Sequence, residues 1–433
     1  MNSSVNNYNR RVTDDFDAMI KITIFNSLGF FFLDFLIPYV ASQELRAAGI
    51  DMGVIFSIIV VGYIISSPFV GAMTDRISKK LLVFIGSVGR GVAYFFLYIA
   101  IIMKSLIGLA IGMFLLGFLA GFFWIPLDTL IAEKSSAAHR SYAYGRHYSA
   151  EGIGTFFGAF IGFGILLIAI EITPTNSFLI YSALVVFGLV NILAGIVFFL
   201  FVDESIKYEN VEDEFISKDV ILTLKAISKG LIVGLALLFI VLFLSSTNGS
   251  LAKPFLNVYL LENIENNPTL AALAYAPSGF VSMLLAPRLG EIADRTNPYI
   301  GISLASVLGA IITFSLINTS VLWMFAFLLI LDVTVVTTGW LILTNLISRV
   351  SKSHRGKIFG LQSTFTNFGA IIGPILGGIV WDLFGSKSPF ILSIMVELAL
   401  IPFFIIAIFY LKPHLAESLK VKENAKQNNR PQV

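Results

Sequence analysis

An all-α integral membrane protein is predicted, with twelve transmembrane helices in two pseudo-symmetric six-helix bundles. Composition, apolar stretch length and an internal repeat carry that prediction. Hydrophobic residues make up 57% of the 433-residue chain and charged residues 13%, where a soluble domain carries about 25% charge. Apolar stretches of about 20 residues recur, the length that crosses ~30 Å of hydrocarbon. They lack the roughly ten-residue alternation of barrel strands, so they read as helices. His139, Arg140, Gly145, Gly154, Gly158 and Gly162 recur as His354, Arg355, Gly360, Gly369, Gly373 and Gly377, all shifted by 215. Gly71, Asp75 and Arg76 recur as Gly290, Asp294 and Arg295 with a shift of 219, and Pro38-Tyr39 as Pro254-Phe255 with a shift of 216. Fixed-period self-similarity marks a repeated architecture. In a membrane protein, two parallel halves suggest transport by rocking one half against the other.

The elements follow in order. Residues 1–19 are polar, carry both signs of charge and read as a cytoplasmic N-terminal segment. Span 1 (20–40) has no small-residue cleavage site, so it is expected to be an uncleaved anchor. Spans 2 to 6 fall at 52–70, 81–103, 106–131, 148–170 and 178–202, completing an N-terminal bundle over 20–202. Residues 203–229 hold seven acids and four lysines and read as a cytoplasmic linker. A short amphipathic surface helix over 216–229 is the alternative for its second half. Spans 7 to 12 fall at 231–252, 269–287, 299–317, 321–347, 358–381 and 389–411, giving a C-terminal bundle over 230–411. Span 7 has a possible continuation to Tyr259. The basic, polar tail 412–433 is expected to lie in the cytoplasm and to touch anionic lipid.

Lysine and arginine set the orientation. With twelve spans and the N-terminus inside, 24 of the 29 basic residues fall on the cytoplasmic side. Arg46, Lys104, Lys253 and Lys387 fall outside, and Arg90 lies within span 3. That bias is the positive-inside pattern. The expected location is therefore the cytoplasmic membrane, with both termini inside. Cysteine is absent, which excludes disulfides, thiolate metal sites and thiol catalysis.

Gly71-Ala-Met-Thr-Asp75-Arg76-Ile-Ser-Lys79-Lys80 joins spans 2 and 3, and Gly290-Glu-Ile-Ala-Asp294-Arg295 repeats its core between spans 8 and 9. A glycine lets helices approach, and an Asp at such a turn can cap a helix N-terminus with unpaired N–H groups. Two copies in matching places argue against an ordinary basic loop. Arg140/Gly145 and Arg355/Gly360 likewise precede spans 5 and 11. With these motifs the chain, over about residues 20–411, resembles members of the major facilitator superfamily. The resemblance implies that helices 1, 4, 7 and 10 line a central cavity, that 2, 5, 8 and 11 form gates, and that 3, 6, 9 and 12 support them. It also implies that the cytoplasmic motifs latch the outward-facing state.

Gly154, Gly158 and Gly162 lie on one face of span 5, and Gly369, Gly373 and Gly377 on one face of span 11. Small residues at every fourth position let helix backbones touch, whether for movement or for static packing. Many proton-coupled drug exporters of this family carry Gly-Pro-x-x-Gly-Gly in helix 5. Span 5 here reads Gly158-Ala-Phe-Ile-Gly162-Phe, whereas span 11 carries Gly373-Pro374-Ile-Leu-Gly377-Gly378. The exporter signature is partial, so the direction of transport stays open at this point.

Ionisable groups in hydrocarbon are costly and point to function. The candidates are Asp34, Arg90, Asp128, Glu151, Asp332 and Glu397. Asp34 leads, four residues before Pro38 in span 1, as a proton carrier or cation site; capping near the outer end is its alternative. Asp332 lies near the middle of span 10, and Glu151 near the inner end of span 5. Arg90 is expected to pair with a carboxylate such as Glu151 or Asp128, with an anion site as the alternative. Glu397, in a supporting helix, reads as structural. Trp124 and Trp340 hold near-equivalent places in the two halves and could stack on an apolar or cationic solute or anchor the interface.

No enzyme is expected. The four histidines lie in or near cytoplasmic segments, no metal cluster is evident, and the Gly-x-x-x-x-Gly-Lys phosphate cradle is absent. The expected function is secondary transport of a small solute by alternating access. It is expected to need no cofactor and no nucleic acid, and to work as a monomer in the lipid. H⁺ is the expected coupling ion, given isolated carboxylates and no evident paired backbone breaks of the kind that cage Na⁺. Efflux of amphipathic, drug-like compounds is the leading reading, and proton-driven uptake of a sugar or carboxylate the alternative.

Overall fold

Away from water each backbone N–H and C=O must find a partner within its own segment, and the apolar stretches do so as helices. The structure, a computed structural model, describes residues 12–74, 76–135, 140–207, 229–348 and 355–412. Some side chains within the helices, among them several along α11, are also outside the described set. Among the described residues there is no strand, only the isolated bridge between Val12 and Ser135. The chain divides into two compact units, Met1–Ser217 and Lys218–Val433.

The first unit contains α1 (Phe16–Asn26), α2 (Phe30–Tyr39), a π-helical turn (Val40–Glu44), α3 (Gly49–Thr74), α4 (Lys79–Ile102), α5 (Leu106–Glu133), α6 (Arg140–Ile172), the short α7 (Ser177–Ile180) and α8 (Ala183–Phe201). The second contains α9 (Lys229–Leu251), a 3₁₀ turn (Lys253–Phe255), α10 (Leu256–Asn263), α11 (Pro268–Arg295), α12 (Pro298–Leu316), α13 (Leu322–Ser348), α14 (Arg355–Phe384) and α15 (Ser388–Leu411). Eleven helical stretches of described residues are long and apolar enough to cross a membrane. The helix at the expected span 8, α11, is 28 residues long. Large apolar side chains such as Phe160, Phe314 and Trp323 stand exposed on the helix surfaces, as lipid-facing groups do. The alternative surface helix at 216–229 lies almost wholly outside the described residues.

The sequence repeat reappears as a packing repeat. In the first unit α6 packs on α1 and α2, α8 on α1 and α4, and α5 on α3 and α4. In the second α14 packs on α9, α15 on α9 and α12, and α13 on α11 and α12. These are the same pairs, six spans later. Each unit has its own apolar core, one around Phe16, Phe123, Leu127 and Phe198, the other around Leu242, Leu346, Phe404 and Ile408.

The first span of each unit is interrupted, against the expectation of no paired backbone breaks. Span 1 breaks at Ser27–Gly29, and its second piece contains Pro38, which has no N–H to offer the Asp34 carbonyl. The chain then widens into the π turn, closed by Leu45 N–H to the Val40 carbonyl at 3.0 Å. Span 7 breaks around Lys253-Pro254-Phe255, where Pro254 again removes a donor. Pro38 and Pro254 are the repeated pair, so proline chemistry accounts for one interruption in each half.

The glycine ladders lie where α6 meets span 1 and α14 meets span 7. A Cβ built at Gly154 would strike the Ile24 carbonyl oxygen, one at Gly158 the Leu28 backbone, and one at Gly162 the Phe32 ring. On α14, Gly369 faces the Phe243 carbonyl, Gly373 the Ser250 hydroxyl and Thr247 carbonyl, and Gly377 the Leu251 carbonyl. No other residue leaves room for such an approach.

Candidate functional sites in the two halves

In the first unit a polar cluster lies among α1, α4, α5, α6 and α8. Arg90, on α4, is fully buried. Its Nη2–H donates to the Asn26 carbonyl at 2.9 Å and its Nη1–H to Asn26 Oδ1 at 3.4 Å. The first bond explains the break in span 1. The Asn26 carbonyl would ordinarily accept from Phe30 N–H, but Phe30 turns instead to the Ser27 carbonyl at 3.4 Å. Asn26 Nδ2–H also donates to Ser87 Oγ at 3.1 Å, and the Ser87 hydroxyl lies 2.6 Å from the Asn191 carbonyl. Three rings surround the guanidinium, with centroids at 4.9 Å (Phe30), 5.4 Å (Phe123) and 5.6 Å (Trp124). Cation–π attraction offsets part of the desolvation cost.

The sequence reading paired Arg90 with Glu151 or Asp128. Neither carboxylate lies within ion-pair distance; the direct partners are a neutral amide and aromatic faces, and Glu151 acts on Arg90 through its charge at longer range. Asp128 instead stands 3.8 Å from His147 Nε2. Trp124 packs on His147 at 5.6 Å and on Phe123 at 4.7 Å, so it lines this cluster. His147 and Glu151 share an α6 face with Gly154 and Gly158, because 147, 151, 154 and 158 follow helical spacing. Asp34 is half-buried on α2. Asn26, Ser87 and Asn191 are neutral and carried no charge signal in the sequence.

In the second unit a cavity of about 120 Å³ lies among α9, α12, α13 and α15. Asn248, Ser245, Ser306, Trp340 and Glu397 line it, with apolar walls from Val241, Val336 and Leu400. Thr313 Oγ1–H on α12 donates to Asp332 Oδ1 at 3.3 Å. Trp340 is thus placed on a cavity wall, and Glu397, read as structural from the sequence, lines the same space.

The cytoplasmic motifs are described in part. Asp75, His139 and His354 lie outside the described residues, as do the side chains of Asp294, Arg295, Arg140 and Arg355 and the surroundings of Gly290 and Gly360. Gly71 and Gly145 have open space around them, and Arg76 is exposed. The cap on α4 comes from Ser78, whose Oγ accepts from Leu81 N–H at 3.2 Å, and from Glu204, just beyond α8. Glu204 accepts from Ser78 Oγ–H at 2.6 Å and from the Lys79 and Lys80 N–H groups at 3.0 and 3.4 Å. Lys79 bridges Glu204 at 3.7 Å and Glu133 at 3.3 Å. Partial burial pushes the Glu204 carboxyl up, but the Ser78, Lys79 and Lys80 donors outweigh it and hold it below the ordinary range. A carboxyl lowered on folding stabilises above its unfolded pKa, and that contribution is lost as pH falls through the folded value. Glu204→Gln is therefore expected to cost about 0.5–1 kcal/mol at neutral pH. The gap to the parent should narrow as pH falls through the folded value, which lies below the ordinary glutamate range. Thermal midpoints of the two proteins in detergent, compared at pH 7 and at a series of values running below the ordinary glutamate range, check this.

With fold and sites in place, the chain reads as a membrane transporter of two repeated halves. It matches the Major Facilitator Superfamily over residues 20–361 and again over 238–431, and it belongs to that family. It is 25% identical to the multidrug resistance protein MdtG of Enterobacter lignolyticus over 354 residues, covering 80% of this chain and 79% of that one. To the MdtG of an Escherichia coli strain it is 26% identical over 350 residues, covering 79% and 80%. In fold it is similar to a bacterial homologue of the human lysosomal transporter Spinster in an inward-facing, occupied conformation, with TM-score 0.71 and 12% identity over 92% of this chain and 95% of that one. The nucleoside transporter NupG gives TM-score 0.64 and 14% identity over 92% and 98%.

Proposed function

We propose that this transporter exports amphipathic, cationic organic compounds from the cell in exchange for protons, as a monomer with both termini in the cytoplasm. The observation that carries the reading is the relationship to multidrug resistance proteins along four-fifths of the chain. The chemistry agrees. Carboxyl groups stand in spans 1, 10 and 12, and the C-terminal half holds an apolar cavity with an indole and a carboxyl on its walls. An indole face attracts cations and an intramembrane carboxyl can carry a proton. The lysine and arginine bias supports the orientation.

The test is accumulation of a panel of fluorescent lipophilic cations in an efflux-deficient host, with and without a protonophore. Expression should lower accumulation several-fold, and the protonophore should reverse it. Asp34→Asn should abolish uphill export while leaving exchange of substrate for substrate intact. No change in accumulation across the panel sinks the export reading and turns the search to uptake of sugars and organic acids.

A further inference from the structure

We propose that Glu397 and Asp332 form a two-carboxyl site that holds a single proton inside the C-terminal half, and that this proton takes part in coupling together with the Asp34 carboxyl. The second clause rests on the proton-driven reading above.

Both carboxyl groups converge on one side of α12. A Cβ built at Gly309 would lie 2.7 Å from Glu397 Oε1 and 3.1 Å from Oε2, so the Glu397 carboxyl rests on the bare backbone of that glycine. Thr313, one turn later, donates to Asp332 Oδ1. Positions four apart on a helix are ~5–6 Å apart between Cβ atoms. The two acids therefore stand about one helical turn apart along α12, near enough for the Asp332 charge to act on Glu397. Two like charges at such separation, away from water, do not both ionise readily, and one proton between them removes the conflict.

Among the described residues no arginine, lysine or histidine lines the cavity. Lys229 and Tyr299 stand at the first turns of α9 and α12, and Tyr410 at the last turn of α15. On α14 Arg355 and Lys357 are at the start and Asp382 near the end. On α11, which packs on α13, Tyr275 is buried near the start and Arg288 exposed towards the end, with Glu291, Asp294 and Arg295 in the last turns. Lys253, beyond α9, is exposed.

Asn248 stands beside the pair. It lines the cavity beside Glu397 and interacts with it through its side chain. Its Oδ1 is buried and has no hydrogen-bond donor. A buried acceptor left without a donor is costly. A protonated Glu397 carries an O–H for Asn248 Oδ1, and an ionised Glu397 accepts from the Asn248 N–H, so the amide serves the carboxyl in both states. Glycine at 309 and the amide at 248 thus seat the Glu397 carboxyl, and the threonine at 313 seats that of Asp332 one turn along.

A hydrophobic carbodiimide, which modifies protonated carboxyl groups in apolar surroundings, tests the site on the full-length protein in detergent, with peptide mass mapping. At neutral pH the label should fall on Glu397 or Asp332, and on no more than one of them per molecule. Glu397→Gln with Asp332→Asn together should remove it. Gly309→Ala keeps both acids but puts a methyl group against the Glu397 carboxyl; it should reduce labelling and proton-driven export several-fold while the thermal midpoint stays near that of the parent. Label on neither residue, or on both in one molecule, overturns the shared proton. Labelling as expected, with export unaffected by a protonophore, retains the shared proton and removes its coupling role. Proton-driven export without label at the pair rejects the pair and leaves the export reading standing.

Discussion

Arg90→Met is expected to destabilise the protein by about 3 kcal/mol or more and to abolish transport. The guanidinium is fully buried and gives two hydrogen bonds to Asn26. Bonds to charged groups are worth roughly 1.5–3 kcal/mol each, and a cation over aromatic rings adds about 0.5–2. Methionine fills much of the volume but gives the Asn26 carbonyl no donor. That carbonyl has already left the helix ladder, so it stays unpaired unless span 1 rewinds. Rewinding would return it to Phe30 N–H and move the second half of the span, Asp34 included. Arg90→Lys should not rescue, because a single ammonium reproduces neither the planar two-point contact nor the stacking. Thermal unfolding in detergent and efflux in cells are the measurements. Wild-type stability and export in Arg90→Met would mean that Asn26 finds another donor and that the break in span 1 does not depend on Arg90.

Gly158→Ala is expected to lower stability by about 1–2 kcal/mol, and the same change at Gly164, further along the same helix, to raise it or leave it unchanged. Alanine is favoured over glycine inside a helix by roughly 0.5–1 kcal/mol, and at Gly164 nothing lies within 4 Å to oppose that gain. At Gly158 the new methyl group meets the Leu28 carbonyl, carbon and Cα, all backbone. Backbone cannot swing aside as a flexible side chain does, so α6 must separate from span 1. Overpacking of that kind costs about 1–3 kcal/mol, enough to reverse the propensity gain. The pair of variants, compared by thermal midpoint, isolates contact from propensity. Equal effects at the two positions would show that α6 and span 1 do not meet through Gly158.

What the sequence made legible was what repeats or what is long. The spans followed from apolar length, and the glycine ladders from a four-residue spacing that a helix turns into a stripe. The partners of Arg90 were not legible. A buried arginine suggests a carboxylate, but Asn26 is neutral and 64 positions away, and nothing in its local pattern marks it. The interruption of span 1 was hidden for the same reason, since it depends on a tertiary hydrogen bond and not on the local chain. Glu397 was discounted because helix 12 is a supporting helix in the family. Placement against Gly309 and Asn248, three helices brought together, is what gives it a different chemical meaning. Asp34 stood out by type and position, and it remains half-buried on the broken span.

One lysine settles a question of parity. The ammonium of Lys134, at the end of α5, is sealed from solvent and bonds Asp15 Oδ2 at 2.7 Å, the Asp203 carbonyl at 2.6 Å and the Ile206 carbonyl at 2.8 Å. The Asp203 N–H also reaches Asp15 Oδ2 at 3.2 Å. Chain entering the first unit, chain at its fourth crossing and chain leaving it therefore meet at one nitrogen. A path that starts and ends at one point crosses any sheet of lipid an even number of times. The residues before α1 and those after α8 thus share a side of the membrane, whichever side that is, without any appeal to loop charge.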